Sequence, residues 1–97
     1  MTEEEKIIKK ETALADIKTL NGLLDRKRLN NAETTINKIR FNFDYTDEIA
    51  KSMITHKVPA GKIPFGSLEY QQQRKVVIML RDAVKNYLES LEDKSTN

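Results

Sequence analysis

The chain has 97 residues, a formal net charge of +2 at pH 7, no cysteine and a single histidine. This length suits one domain, the lack of cysteine excludes disulfides and thiol chemistry, and one histidine excludes a metal centre built from cysteines and histidines. No stretch approaches the roughly 20 apolar residues that span a bilayer, and the acidic start MTEEEKIIKK is unlike a secretory signal. The composition predicts a soluble, cytoplasmic protein with no cofactor.

Residues 3–29 are predicted to form the first helix. Thr2 and Glu5 form a capping-box pattern at its start. Apolar side chains then recur at the helical period, at Ile7, Ala13, Leu14, Ile17, Leu20 and Leu24. Gly22 is the weak point, because an interior glycine costs a helix about 1 kcal/mol relative to alanine. We expect the helix to run through it, and the alternative is a break there with a short separate helix over 23–29.

Residues 31–57 are predicted to form the second helix, which Asn30 or Asn31 caps together with Glu33. Its core-facing residues are spaced by three and four positions, at Ala32, Ile36, Ile39, Phe43, Thr46, Ala50 and Met53. Residues 39–45, IRFNFDY, also alternate apolar and polar side chains as a strand does. We favour the helix, because no second strand is evident to pair with this segment and an isolated strand is unstable.

Residues 58–67 hold both prolines and two of the three glycines, and they are predicted to connect the second helix to the third. Pro59 disfavours helical geometry in the residue before it, so the second helix must end there. Ser67 is a suitable N-cap for the next helix. We expect Ile63 and Phe65 to plug the end of the helical bundle, and a cationic contact surface is the alternative for this loop.

Residues 68–92 are predicted to form the third helix, followed by a frayed tail over 93–97. Its broad apolar face comprises Val76, Met79, Leu80, Ala83, Val84, Tyr87, Leu88 and Leu91. Short connections make successive helices antiparallel. The predicted fold is therefore all-α, with one domain over 1–97. It is an antiparallel bundle of three long helices, or of four if the first breaks at Gly22.

The chain offers little for catalysis. The segment PAGKIPFG lacks the Gly-Lys-Ser/Thr ending of a phosphate-binding loop. A serine triad would have to combine His56 with Ser52 or Ser67, and neither serine has the nucleophile-elbow context of such enzymes. His56 instead suits a helix C-terminus, where a positive imidazole is favourable. The sequence predicts that the protein is not an enzyme.

Two aromatic residues of the second helix are predicted to lie outside the core. If Phe43 points inward, Phe41 and Tyr45 point nearly opposite and lie side by side, four positions apart. Aromatic residues are typical anchors of protein interfaces, so both are candidate partner-binding residues, as is Ile78 on the third helix. The structural alternative is that residues 23–29 fold over the two aromatic side chains.

Positive charge is concentrated in the central part of the chain, where residues 51–85 hold seven Lys and Arg against two Asp and Glu. The candidate contact residues here are Lys57, Lys62, Arg74, Arg81 and Lys85. Together with the Arg-Lys-Arg run at 26–28 they could contact phosphates, which gives nucleic acid as an alternative partner. No recognised DNA-binding signature accompanies them.

Residues 48–84 resemble the small immunity proteins that protect producers of pediocin-like bacteriocins. The residues that carry the resemblance are Ile49 and Met53 on a helix, and Tyr70, Gln71 and Lys75 in a Y-Q-x-x-x-K helix entry after the loop. It implies a cytosolic, antiparallel four-helix bundle that recognises a bacteriocin–receptor assembly at the inner membrane face, with specificity from the C-terminal half. The loop here holds more proline than that pattern, and a fourth helix would need a break in the first.

The sequence therefore predicts a small non-enzymatic module that binds another protein, with bacteriocin immunity as the specific function that the resemblance implies. A phage- or plasmid-encoded adaptor or inhibitor of a host protein fits the size, the charge and the lack of chemistry equally. The second alternative is a nucleic-acid-binding regulator. A homodimer is also compatible with exposed aromatic side chains.

Overall fold

The computed structural model describes the backbone of residues 1–58 and 65–95 and the side chains of residues 1–58 and 65–92. Four α-helices contain most of these residues: α1 (Glu3–Leu24), α2 (Glu33–Arg40), α3 (Thr46–His56) and α4 (Tyr70–Ser95). Two 3-10 turns, Phe43–Tyr45 and Phe65–Ser67, precede α3 and α4. Strands are absent from the described part of the chain, so the all-α prediction is confirmed.

The first helix starts as predicted and ends earlier. The Thr2 side chain accepts a hydrogen bond from the Glu5 backbone N–H at 3.1 Å, which caps α1. The helix runs through Gly22, as expected, but ends at Leu24. Residues 25–29 are therefore neither its continuation nor part of a separate short helix.

Side chains of α4 account for the early end of α1. Arg74 Nη1 donates to the carbonyl of Leu24 at 2.7 Å, and the Tyr70 hydroxyl donates to the carbonyl of Arg26 at 2.6 Å. The last carbonyls of a helix lack hydrogen-bond partners within the helix. Here the Arg74 cation supplies a partner for the carbonyl of Leu24, the last residue of α1, and the Tyr70 hydroxyl holds Arg26 in the loop that follows.

The predicted second helix is interrupted in its middle. α2 ends at Arg40, and Asn42 is extended (φ −71°, ψ 119°), with its side chain accepting a hydrogen bond from the Asp44 N–H at 2.9 Å. Asparagine readily bonds to nearby backbone in this way, which competes with helix continuation. The continuous helix over 31–57 and the strand over 39–45 are therefore both wrong. The fourth helix comes from this break rather than from one in α1.

The interruption changes which side of the second segment is buried. Four residues of the predicted core face after the break are exposed or half-buried, namely Phe43, Thr46, Ala50 and Met53. The buried residues there are instead Tyr45, Ile49 and Ser52. Before the break, burial follows the prediction, at Ala32, Ile36 and Ile39. The apolar repeat keeps its period throughout, but its second half faces away from the core.

Both α1 and α3 pack against α4. The eight residues of its predicted apolar face are all buried or half-buried, which confirms that face. The helix starts at Tyr70, two residues later than predicted, because Ser67 still belongs to the preceding 3-10 turn. Its backbone continues to Ser95, into the segment predicted to fray, and residues 96–97 lie outside the described part.

Contacts along α4 show which parts of α1 and of the segment of α3 lie beside it. The contacting pairs are Asn21–Arg81 and Leu24–Arg74 for α1, and Tyr45–Tyr87 and His56–Asp82 for the segment of α3. In α1 the later residue meets the earlier residue of α4, whereas within α3 Ser52 contacts Met79 and the later His56 contacts the later Asp82. The end of α1 therefore lies near the start of α4, and the end of α3 lies near the middle of α4.

The predicted plug at the end of the loop is confirmed for Phe65. Its side chain is buried, and Gln73 Nε2 donates to its carbonyl at 3.0 Å. Its predicted companion Ile63, together with Lys62, falls within residues 59–64, which lie outside the described residues.

Tyr45 anchors the interrupted segment to both α1 and α4. Only 1% of it is exposed, so the prediction that it lies on the outer face is wrong; a continuous helix would have placed it there, but the break turns it inward. Its ring packs edge-on against Tyr87, with centroids 5.2 Å apart, and its hydroxyl donates to Asp16 Oδ2 at 2.5 Å. Beside it, Lys9 Nζ bonds Asp44 Oδ1 at 3.2 Å.

Tyr45→Phe removes the hydroxyl that bonds Asp16 and keeps the ring against Tyr87. A hydrogen bond to a charged group contributes about 1.5–3 kcal/mol, and Asp16 is only half-buried and can recruit water. We therefore expect the free energy of unfolding to fall by about 1–2 kcal/mol in urea denaturation at neutral pH. The control is Tyr87→Phe, because the Tyr87 hydroxyl has no hydrogen-bond partner among the described residues. An equal loss in both variants would contradict this role for Asp16.

The stability difference between wild type and Tyr45→Phe should shrink at alkaline pH. Burial, and then the hydrogen bond to the Asp16 carboxylate, raise the pKa of Tyr45 above its ordinary value of 10.0. The unfolded chain therefore ionises this tyrosine first, so its stabilising contribution is complete below about pH 10 and is lost as the pH rises further. At about pH 11 the difference should be smaller by about 1.4 kcal/mol, measured by urea denaturation at both pH values. A constant difference would show that the folded state does not hold Tyr45 protonated.

Candidate protein-binding surface

The outer side of the α2–α3 corner exposes large apolar side chains. Phe41 is 69% exposed, Phe43 is 93% exposed and Ile54 is 81% exposed. Ala50 and Met53 lie between them on the outer side of α3. We call these five residues, with Arg40 and Thr46, the α2–α3 surface. Single exposed apolar residues are ordinary on a protein, whereas a contiguous group marks a candidate interaction site.

A shallow groove of about 310 Å³ crosses this surface. The residues that line it are Arg40, Phe41, Phe43, Thr46, Ile49, Ala50 and Met53. Ile49 is a core residue and Met53 packs against the core, so the groove reaches the edge of the hydrophobic interior. An apolar groove with few polar groups suits the apolar side of a ligand.

The break at Asn42 creates this surface. The residues at 43, 46, 50 and 53 are spaced by three and four positions, as in the seam of a helix that packs on another helix. After the break Phe43, Thr46 and Ala50 of this seam are exposed, and only Met53 packs against the core. The spacing of these residues correctly indicates a helical seam. The prediction that the seam faces the core is wrong for Phe43, Thr46 and Ala50.

Of the predicted apolar contact residues, only Phe41 lies on the α2–α3 surface. Tyr45 is in the core and cannot contact a partner in this structure. Ile78 is half-buried on α4. Sequence reasoning missed Phe43, Ala50, Met53 and Ile54. The available signal was Asn42, a residue that caps helices well, inside an apolar repeat that was assumed to be continuous.

Two of the predicted basic contact residues, Arg74 and Arg81, are engaged within the chain. Arg74 donates to Leu24, and its guanidinium also lies 5.9 Å from the Tyr70 ring centroid. Arg81 donates to Asn21 at 3.5 Å, and its Nε lies 3.5 Å from Asp82. Both arginines thus bind their own chain. Of the lysines, Lys85 is exposed on α4 one turn after Arg81, Lys57 is exposed at the end of α3, and Lys62 lies outside the described residues.

A second, polar cleft lies between α3 and α4. It has a similar volume of about 310 Å³ and includes Ser52, His56, Asp82 and Lys85 in its lining. His56 Nε2 lies 2.9 Å from Asp82 Oδ2, and the buried Ser52 hydroxyl donates to the Met79 carbonyl at 2.8 Å. The serine hydroxyl therefore bonds the backbone of α4 instead of the imidazole. The described residues include no group of three or more metal-ligating His, Cys, Asp or Glu side chains.

The helix α1 also exposes apolar residues, away from any groove described here. Ile7 is 51% exposed and Leu14 is 56% exposed, so their predicted place in the core is wrong. Both lie beside the buried face of α1, which is formed by Ala13, Leu20 and Leu23. Ile7 and Leu14 provide a matched control for changes on the α2–α3 surface.

None of the described helices combines the length and apolar character that crossing a bilayer requires. No protein-family model, curated protein or solved structure matches the chain. The functional interpretation therefore depends on the geometry and chemistry of the surface itself.

The double change Phe43→Ser, Ile54→Ser should leave the free energy of unfolding within about 0.5 kcal/mol of wild type, because surface substitutions away from packing contacts have small effects. In contrast, Ile49→Ser on the same helix should cost about 2 kcal/mol or more, because Ile49 is buried. Urea denaturation of the three proteins measures both values. A large loss in the double variant would show that these side chains are part of the core.

Proposed function

We propose that this protein is a non-enzymatic module that binds another protein through the α2–α3 surface. The observation that supports the proposal is the exposure of Phe41 and Phe43 in the lining of an apolar groove, with Ile54 exposed on α3 one turn after the lining residue Ala50. Aromatic residues with little conformational freedom often dominate binding energy at interfaces. The surface is also carried by helices and a capped turn that Tyr45 fixes to the core, so it is largely formed before a partner arrives.

The state of the candidate catalytic residues supports a non-enzymatic function. A triad needs the imidazole to accept the serine proton while a carboxylate orients its other nitrogen. Here Ser52 donates to a backbone carbonyl, and the hydrogen bond of His56 is to Asp82. Both contacts join α3 to α4, which gives the two side chains a role in packing.

Bacteriocin immunity is a more specific form of this proposal, as is a phage- or plasmid-encoded adaptor or inhibitor. Each would use the α2–α3 surface in the cytoplasm, and the identity of the bound protein separates them. Nucleic-acid binding is a weaker alternative, because Arg74 and Arg81 are engaged within the chain and leave fewer cations for phosphates.

Affinity capture from a lysate of the source cells, with the tagged full-length protein, tests the proposal. Wild type and the control Ile7→Ser, Leu14→Ser should retain the same protein in low and high salt, whereas Phe43→Ser, Ile54→Ser should lose it by about tenfold or more. Mass spectrometry and a nucleic-acid stain identify what is retained. Equal capture by all three proteins, or capture of nucleic acid that salt removes, would contradict binding at the α2–α3 surface.

A further inference from the structure

The shape of the α2–α3 surface indicates what kind of segment binds there, and this inference rests on the proposed function. The groove follows α3, whose 11 residues span about 16 Å. Phe43 and Met53 stand at its ends, with the smaller Thr46 and Ala50 between them. Small residues between larger ones leave holes for the side chains of a second helix. An amphipathic helix seated in such a groove is a common recognition mode.

An extended peptide fits this surface less well. Extended peptides usually add to the free edge of a sheet, where backbone hydrogen bonds hold them. The described part of the chain has no strand, and α2 and α3 direct their backbone groups into their own helices. A helix satisfies its own backbone and brings only side chains to the groove, so it is the better occupant.

Arg40 gives the groove a specific polar feature. Among the described residues that line the groove, Arg40 is the one that carries a charge. Its guanidinium lies 5.5 Å from the centroid of the Phe41 ring, and it makes no hydrogen bond or ion pair with any described residue. A guanidinium held against an aromatic ring keeps its planar edge free, and that edge fits a carboxylate with two parallel hydrogen bonds.

The charges near the groove favour a partner with an acidic helix over a second copy of this chain. Asp44 is paired with Lys9 at 3.2 Å, and Glu48 is paired with Lys51 at 3.6 Å. Asp47 has no such pair within the described part of the chain, and it does not line the groove. If a second copy of this chain bound here through the same surface, it would place its own Arg40 at the interface. Two like charges in one interface are unfavourable, because interfaces favour complementary charges.

We infer that the α2–α3 surface binds an amphipathic helix of another protein that carries a carboxylate beside its apolar stripe, and that Arg40 pairs with this carboxylate. Arg40 acts here as a specificity residue, while Phe41, Phe43, Met53 and Ile54 provide the apolar contact.

Two synthetic helical peptides of about 18 residues test this inference. They share one leucine stripe, and one carries glutamate beside it where the other carries lysine. Each is titrated into the ¹⁵N-labelled full-length protein and followed by NMR. The glutamate peptide should shift resonances of residues 40–54 and bind about tenfold more tightly than the lysine peptide. Arg40→Gln should reduce this preference to about twofold or less, whereas the control Arg28→Gln should keep it.

Three outcomes would overturn the inference: equal binding of both peptides, no binding of either, or shifts confined to other residues. Concentration-dependent shifts of 40–54 without any peptide would identify a second copy as the occupant instead. If both peptides bind equally at 40–54 and Phe43→Ser, Ile54→Ser abolishes that binding, the acidic partner is wrong while the proposed function stands. If the cellular capture is also insensitive to that double change, both fail.

Discussion

The placement of Tyr45 between α1 and α4 is the contact on which the rest of the structure depends. Its hydroxyl bonds Asp16 and its ring packs on Tyr87, so one side chain ties three parts of the chain together. Because Tyr45 immediately precedes α3, its burial decides which side of α3 faces the core. Ile49 and Ser52 follow it inward, and the opposite side becomes solvent-exposed. The orientation of α3 that the burial of Tyr45 sets therefore determines both which residues of α3 join the core and which form the candidate binding surface.

The α2–α3 surface combines features that otherwise occur inside proteins. Its residues at 43, 46, 50 and 53 have the spacing of a packed helical seam, yet Phe43, Thr46 and Ala50 are exposed. Exposed aromatic side chains carry a solubility cost that a protein with no use for them tends to avoid. Arg40 beside Phe41 adds a group that can discriminate between partners by charge. Together these properties favour recognition of a protein helix over catalysis.

Much of the fold could be predicted from periodicity and capping, and the remainder depended on contacts distant in sequence. The α4 face and the start of α1 follow from local patterns, and the structure confirms both. The break at Asn42 was missed because capping preferences amount to about 1 kcal/mol and compete with helix continuation, so tertiary packing decides the outcome. The hydrogen bond from Arg74 to the Leu24 carbonyl could not be predicted from local patterns either, because the two residues are 50 positions apart in the sequence.

Nuclear Overhauser contacts between aromatic rings in the labelled full-length protein test the central claim most directly. The orientation described here predicts contacts between the ring protons of Tyr45 and Tyr87, whose centroids are 5.2 Å apart. It also predicts that the Phe43 ring makes no contact with side chains of α4. Contacts from Phe43 to α4, with none from Tyr45 to Tyr87, would show that the second segment continues as one helix. The α2–α3 surface would then not exist in the form proposed.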